Sequence, residues 1–392
     1  MKRVMIVGAS AWQVPMIQKA KELGYYVGVA DYNPKAVGIQ YADEYFNTST
    51  IDPEGVCKAT KAFHADGITT VATDMPMKSV AYTCEKLGLT GISQETAFKA
   101  TDKARMMEAF EEEGVPHPWY FIALNGDFSS LESRLTFPCI CKPTDNSASR
   151  GVVLINSKEE LIKGVKYSSE NGRSGDVIIE ELMLGDEISV EAFAVKGVIH
   201  ILQITDKLTT GSPHFVEMGH YEPSKHTGKV REKIIDVTIR AMKAIGIDNG
   251  PAHVEMMVTE QGPKLIELGA RLGGDFITTD LVPLSTGIDM LGATIQLACG
   301  ETVSLIPTKN SASAIRYMHS AHGRIKEIIG LEEANSTRNI VRVSMLKNIG
   351  DIAPEITNSI DRIGYAIAVS EHVSEAEKVC EEAIEKIKIE IS

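Results

Sequence analysis

The sequence predicts a multi-domain α/β chain with three parts: a helix-covered parallel sheet over residues 1–95, an α+β unit over 96–304, and a small β-rich α+β unit over 305–392. Three observations carry this. Buried apolar runs alternate with helical periodicity at the start of the chain. Long alternating strands separated by turn signals dominate the middle. Short strands and an amphipathic terminal helix, Ser374 to Ile387, close it. A length of 392 residues is itself that of two or three domains.

Arg3 to Gly8 reads as a buried strand, Trp12 to Leu23 as a helix, and Tyr26 to Ala30 as a second strand ending at Asp31. This β-α-β opening raises a dinucleotide site, with Asp31 on a ribose. The turn argues against it, because Gly8-Ala9-Ser10-Ala11-Trp12-Gln13 lacks the second and third glycines and sets a bulky Trp12 where a pyrophosphate would approach. Further alternation gives helices near 54–64 and 78–87 and strands at 67–72 and 89–92. A helix over Thr101–Glu113, capped by Thr101, ends at Gly114 before two prolines. Then come a strand at 119–123, a helix at 128–135, strands at 139–142 and 152–156, and a helix opened by a capping box at Ser157. Strands at 177–181, 187–195 and 198–205 precede a charged helix at 225–245. The apolar helix 289–299 closes the central part, and Arg362 to Val369 is a strand of the last unit.

Composition excludes several classes. The hydrophobic share of 43 % and charged share of 24 % are those of a globular protein without low-complexity tracts, and a net charge of −13 argues against a nucleic-acid partner, whose footprint is basic. No apolar run reaches membrane-spanning length, and the run before Gly8 is too short for a signal peptide, so no membrane partner and a cytoplasmic location are expected. The six cysteines form no C-x-x-C pair, and Cys139-x-Cys141 reads as buried thiols.

Chemistry concentrates in a hairpin. Pro251 to Val258 and Lys264 to Leu268 alternate around the turn Glu260-Gln261-Gly262-Pro263. A turn centred near Gln261 places Glu255 opposite Glu267, with Cβ atoms about 5 Å apart. Like charges so placed are either solvated strand glutamates or ligands of hard cations shared with substrate phosphates. Upstream, Lys142 ends a strand and precedes the short-side-chain loop Thr144 to Gly151, whose backbone N–H groups suit phosphate oxygens. The alternative is a plain surface hairpin. Glu180-Glu181-Leu182-Met183-Leu184-Gly185-Asp186-Glu187 offers strand-edge groups for a base and acids for ribose hydroxyls, or a run of solvated acids.

In this order, Lys103, Lys142, the Ser-rich loop, E-E-L-M-L-G-D-E-I-S-V-E, A-H-V-E-M and L-I-E-L-G-A-R-L-G-G resemble the ATP-grasp superfamily across roughly residues 1–300. The segment 209–224 and the C-terminal I-G-D-I-A-P to D-R-I-G-Y-A-I-A are similar to L-amino acid ligases and the carbamoyl-phosphate-synthase-like carboxylate–amine ligases. The resemblance implies an N-terminal Rossmann-like domain, an ATP-grasp domain clamping nucleotide between two sheets, and a C-terminal domain. It implies an ATP-dependent ligase that joins a carboxylate to an amine through an acyl-phosphate, with ATP and Mg²⁺, two ions by expectation and Mn²⁺ as a substitute.

The same resemblance implies residue roles. Lys103 and Lys142 contact the phosphates, with Ser147, Ser149 and Gly151 in the covering loop. Glu180, Glu181 and Leu182 hold the base, Glu187 the ribose, and Glu255 and Glu267 the metal. Arg271 stabilises the acyl-phosphate, with Lys142 as its catalytic companion, and His214, His220, Arg271 and Gly273 face the substrates. Arg316 is a further candidate to reach the site. Two departures stand out: Gly269 replaces the amide expected after the second acid, which implies a looser second metal, and the covering loop has fewer glycines than many relatives. Two other readings use the same nucleotide site, an ATP-dependent carboxylase acting through carboxyphosphate and a nucleotide-binding regulatory protein without turnover. A homodimer is the default oligomer.

Overall fold

The computed structural model describes residues 1–131, 133–146, 150–212 and 214–392. The first unit is built on β1 (Arg3–Val7), α1 (Val14–Glu22), β2 (Tyr26–Asp31), β3 (Glu44–Asn47), α2 (Pro53–Ala62), β4 (Gly67–Thr69) and α3 (Met77–Leu87). Its strands form a parallel sheet in the order β3-β2-β1-β4. The short polar-ended β3 carries too little periodicity to be read beforehand, and the strand expected at 89–92 is instead a turn whose Leu89 and Ile92 pack into two neighbouring cores. Asp31 serves the backbone rather than a ribose: its carboxylate accepts from the N–H groups of Ala9 (2.8 Å) and Asn33 (2.8 Å).

The single helix expected from Thr101 onward is two, α4 (Gln94–Thr101) and α5 (Lys103–Glu112). Asp102 rather than Thr101 caps the second, its Oδ1 accepting from Ala104 N (3.0 Å) and Arg105 N (3.1 Å), as a carboxylate suits a positive helix start. A four-stranded antiparallel sheet follows, with strands β5 (Tyr120–Ala123), β6 (Cys139–Pro143), β7 (Val153–Ile155) and β8 (Val177–Glu181) in the order β5-β8-β6-β7, backed by α6 (Lys158–Asn171). Residues 128–135 make no helix among the described residues. Successive turns (Leu131 N to Phe128 O, Arg134 N to Leu131 O, both 2.8 Å) press Phe128, Leu131 and Leu135 into this sheet's own core. Ser157 forms no side-chain cap; Glu160 reaches back to Asn156 N instead (2.8 Å).

The largest sheet has eight strands. Its first members are β9 (Asp186–Val195), β10 (Val198–Thr209), β11 (Glu217–Glu222), β12 (Gly250–Thr259) and β13 (Gly262–Gly269), with α7 (Gly228–Ile245) inserted before β12. Helix α7 starts three residues later than expected because Asp206 holds Ser224 Oγ and Lys225 N (2.9 Å) in the approach to it. Helices α8 (Val282–Thr286) and α9 (Met290–Ala298) lead to β14 (Ala312–Met318), β15 (Gly323–Ile329), α10 (Leu331–Asn335), β16 (Ile340–Met345), β17 (Ile352–Ala353), β18 (Gly364–Ser370), α11 (Val373–Glu385) and β19 (Lys388–Ile391). The order is β13-β12-β9-β10-β11-β14-β18-β16, so the sheet runs across residues 304/305; β17-β15-β19 form a small separate sheet. Strict alternation in β9 and β12 sends Ile188, Val190, Ala192, Ala252, Val254 and Met256 into the core shared with α5 and α7. The opposite face carries Glu187, Ser189, Glu191, His253 and Glu255. No single described helix is long and apolar enough to cross a membrane.

Candidate active site

That polar face is the floor of a cavity of about 350 Å³, and the four-stranded sheet is its roof. The expected pairing of acids is present: Glu255 stands directly opposite Glu267 in the β12–β13 register, beside a bulge at Met256. Lys103, Lys142, Glu180, Glu181, Leu182, Glu187, His220, Glu255, Glu267 and Arg271 all line this one cavity. Ile140, Val152, Met183, Met257 and Ile266 add apolar surface to the lining. His214 is exposed and outside the lining. Ser147 and Ser149 lie outside the described residues.

The cations are committed to acids. Lys103 Nζ donates to Glu267 Oε1 (2.9 Å) and Asn146 O (2.8 Å), and Lys142 Nζ lies 2.6 Å from Glu180 Oε2. Burial would lower the Lys103 pKa, but Glu267 outweighs it and the ammonium is held above its ordinary range. Glu181 takes both hydrogen bonds of Lys264 (3.0 and 2.9 Å) at the roof–floor junction. Arg271 lies in a two-bond pair with Asp74, Nε to Oδ1 at 2.8 Å and Nη2 to Oδ2 at 3.0 Å. Burial would raise Asp74; the guanidinium outweighs it and holds the carboxyl low.

Glu255 has two partners. Lys207 Nζ donates to its Oε1, and His253 Nε2 lies 3.3 Å from the same oxygen, while His253 Nδ1 sits 2.5 Å from the wholly buried Glu191. Against burial, Glu191 and Glu255 lift the His253 pKa to about 9, which favours the protonated ring. Lys207 and His253 overcome the burial of Glu255 and hold its pKa well below the carboxylate range. Gly273 belongs behind this pair rather than in the lining: a Cβ there would stand 2.6 Å from His253 Nδ1 and 3.1 Å from Glu191 Oε2. Gly151, at φ +80°, has the left-handed conformation that glycine tolerates, and a Cβ would meet Pro143 at 2.7 Å.

Reasoning from sequence missed Asp74, Lys207, Glu217, Asp275 and Arg362. Asp74 follows β4 at the carboxyl end of a parallel sheet, a place where ligand sites gather and the one signal that could have found it. The strand expected to end at Thr205 runs to Thr209, and this extension pairs Lys207 with His220. Asp275 takes a two-bond grip from Arg362 (2.7 and 2.8 Å) and lies 3.4 Å from His220 Nε2. Arg362 also covers the Tyr317 ring at 3.7 Å, and Ser359 donates to Glu217 (3.1 Å), so the last 90 residues help to wall the cavity. Arg316 does not reach it; on β14 it pairs with Glu377 of α11.

The donor set fits hard divalent cations. Glu187, Glu217 and Glu255 bring one oxygen each to within 4.8 Å of one another, the spread of an oxygen shell at about 2.0–2.6 Å from its centre. Glu267 faces them from β13.

A cavity between two sheets, floored by facing glutamates and flanked by lysines, is the arrangement of an ATP-grasp fold. Residues 135–280 match the ATP-grasp domain family, and the chain has the ATP-grasp fold. Residues 316–392 match the L-amino acid ligase C-terminal domain 2, which places the chain beside the carboxylate–amine ligases. It is similar to the alanine–anticapsin ligase of Bacillus subtilis, 27 % identical over 305 residues that cover 71 % of this chain and 63 % of that one. The chain therefore spans less than two thirds of that relative. The crystal structure of phosphoribosylglycinamide synthetase from Anaerococcus prevotii superposes with a TM-score of 0.81 at 26 % identity, covering 100 % of both chains. The L-amino acid ligase from Bacillus licheniformis shares the fold at a TM-score of 0.86 and 22 % identity, over 100 % of this chain and 99 % of that one.

Proposed function

We propose that the protein is an ATP-dependent ligase that joins a carboxylate to an amine through an acyl-phosphate, releasing ADP and phosphate. One observation carries this reading. Two lysines, two facing glutamates and an Asp-braced arginine converge on a single cavity between two sheets.

A carboxylate is a poor acyl donor because oxide is a bad leaving group. Its oxygen attacks the γ-phosphorus of ATP, the bond to ADP breaks, and the carboxylate oxygen becomes the bridge of an acyl-phosphate. The amine nitrogen then attacks the carbonyl carbon, the C–O bond breaks, phosphate leaves with that oxygen, and the amine proton passes to solvent. Lys103 and Lys142 exchange Glu267 and Glu180 for phosphate oxygens and fix the tail in line, so that positioning does most of the catalysis. Leu182 and the apolar lining take the base, with Glu187 on the ribose. Glu255 and Glu267 would hold Mg²⁺, which would neutralise phosphate charge during the transfer. Arg271, already oriented by Asp74, meets the charge that grows on the transferred phosphoryl group without reorganising. Loop 144–151 covers the intermediate against water; only part of it lies among the described residues. Trypsin cleavage there is expected to slow when ATP and Mg²⁺ are present.

The test is an array of amino acids and other carboxylates, singly and in pairs, with ATP and Mg²⁺, read as ADP and phosphate release. Release that needs a carboxylate plus an amine, and is lost in Glu267→Gln, supports the ligase. Release with bicarbonate alone identifies a carboxylase, and ATP binding without release identifies a regulatory protein.

A further inference from the structure

Lys207 is the most enclosed cation of the cavity, with 2 % of its side chain exposed. Its ammonium touches acids from three strands: Glu255 on β12, Glu187 on β9 at 3.2 Å and Glu217 on β11 at 3.6 Å. The three contacting carboxylates are those whose oxygens lie within 4.8 Å of one another. An ammonium ion therefore sits where the oxygen shell is sized for a metal. The other group on Glu255, His253, is engaged on its far side by the buried Glu191, and Lys207 is the cation that contacts all three acids of this cluster. Three acids face one ammonium, and that ammonium fills the centre of their oxygen shell.

On the ligase reading above, Glu255 must also serve the nucleotide's metal. We infer that Lys207 is a built-in placeholder for that metal: it holds Glu187, Glu217 and Glu255 together in the empty protein, bars a free divalent ion, and is turned from Glu255 toward the phosphates when nucleotide brings the metal in. The physical grounds are electrostatic. A free divalent ion approaching Glu255 meets an ammonium in a poorly screened interior, where like charges a few ångströms apart repel strongly. The same ion arriving on a polyphosphate brings its own excess of negative charge, which offers Lys207 a new partner. The exchange keeps every buried charge paired throughout, whereas an unpaired buried carboxylate is costly. It also ties metal entry to the substrate side, because Glu217, released by the same movement, stands beside Ser359 and Arg362.

The experiment is Mn²⁺ binding to the full chain without nucleotide, followed by loss of the free-ion electron paramagnetic resonance signal. Wild type and Lys207→Arg are expected to bind weakly, and Lys207→Met to bind at least about ten-fold more tightly, since a repelling charge has been removed. The double variant Lys207→Met, Glu217→Gln should lose that gain, which assigns it to this cluster rather than to the acidic surface. If Lys207→Met needs help to fold, Lys207→Gln, which still hydrogen-bonds the acids, serves in its place, and Mn²⁺ should raise its Tm more than that of wild type. Equal nucleotide-free affinity in wild type and in the Met or Gln variant overturns the proposal. None of these readings requires turnover, so a failed ligase array leaves this test intact, and failure here leaves the outcome of the array untouched.

Discussion

Arg271 owes its orientation to Asp74, a residue nearly 200 positions earlier, and the pair explains the glycine at 269. A Cβ at Gly269 would come within 3.2 Å of the Arg271 guanidinium carbon and 3.3 Å of Asp74 Oδ1, so a longer amide side chain here would crowd the pair. Arg271→Lys keeps the charge but forfeits the two-bond geometry. ADP release should fall by about 10²–10³, the usual cost of losing a preorganised donor, with Tm little changed; undiminished turnover would remove Arg271 from the chemistry. Gly273→Ala pushes a methyl against the His253–Glu191 pair and should cost about 1–3 kcal/mol in chemical unfolding. Legibility at this scale follows local pattern. Glu255, Glu267 and Arg271 stand in motifs only a few residues long, whereas Asp74 and Lys207 gain meaning only from partners far away in the chain. The segment around His214 suggests a substrate-facing side chain, but His214 stays out of the cavity that His220 lines.

Strands β9, β12 and β13 are legible because their alternation is strict and their turn chemistry fixes the register. The end of β10 is not, since Asp206 and Lys207 read as a polar exit from the strand when they continue its pairing, Asp206 buried and the Lys207 side chain enclosed. Strand β11 carries a second such residue. Glu222 is wholly buried, accepting from Thr205 Oγ1 (2.8 Å) on β10 and Ser285 Oγ (2.7 Å) on α8. Burial pushes its pKa up to about 8, against the two hydroxyl hydrogen bonds. The folded state thus keeps a proton that the unfolded chain sheds in the ordinary carboxylate range near about 4.3. Stability must fall as pH rises from there to about 8, with the full penalty present above. Glu222→Gln should therefore gain on wild type in chemical denaturation between about pH 5 and 9; a constant difference would show that Glu222 is not held neutral.

Across the whole molecule the three sequence units are less separate than their lengths suggest. One core joins Val4, Ile6 and Val29 of the first sheet to Phe193 of β9, Ile295 of α9 and Ile367 of β18. The boundary at 304/305 rests on a change of pattern, but β11 pairs with β14 across it, and non-local antiparallel pairing leaves no local signature. The roof sheet has a core of its own around Cys139, Leu161 and Ile179 on one side, while Ile178 of β8 joins the central core. Phe193→Ala should cost about 3–5 kcal/mol and destabilise the first, central and C-terminal parts together in hydrogen exchange. Added ADP and Mg²⁺ should protect β6 and β8 more than α7.

The central claim, transfer of phosphate to a carboxylate, is tested most directly by isotope. The carboxylate found in the array, labelled with ¹⁸O in both oxygens, should deliver one ¹⁸O atom to each phosphate released with its amine partner. Phosphate free of label would contradict an acyl-phosphate route and, with it, the account of this site.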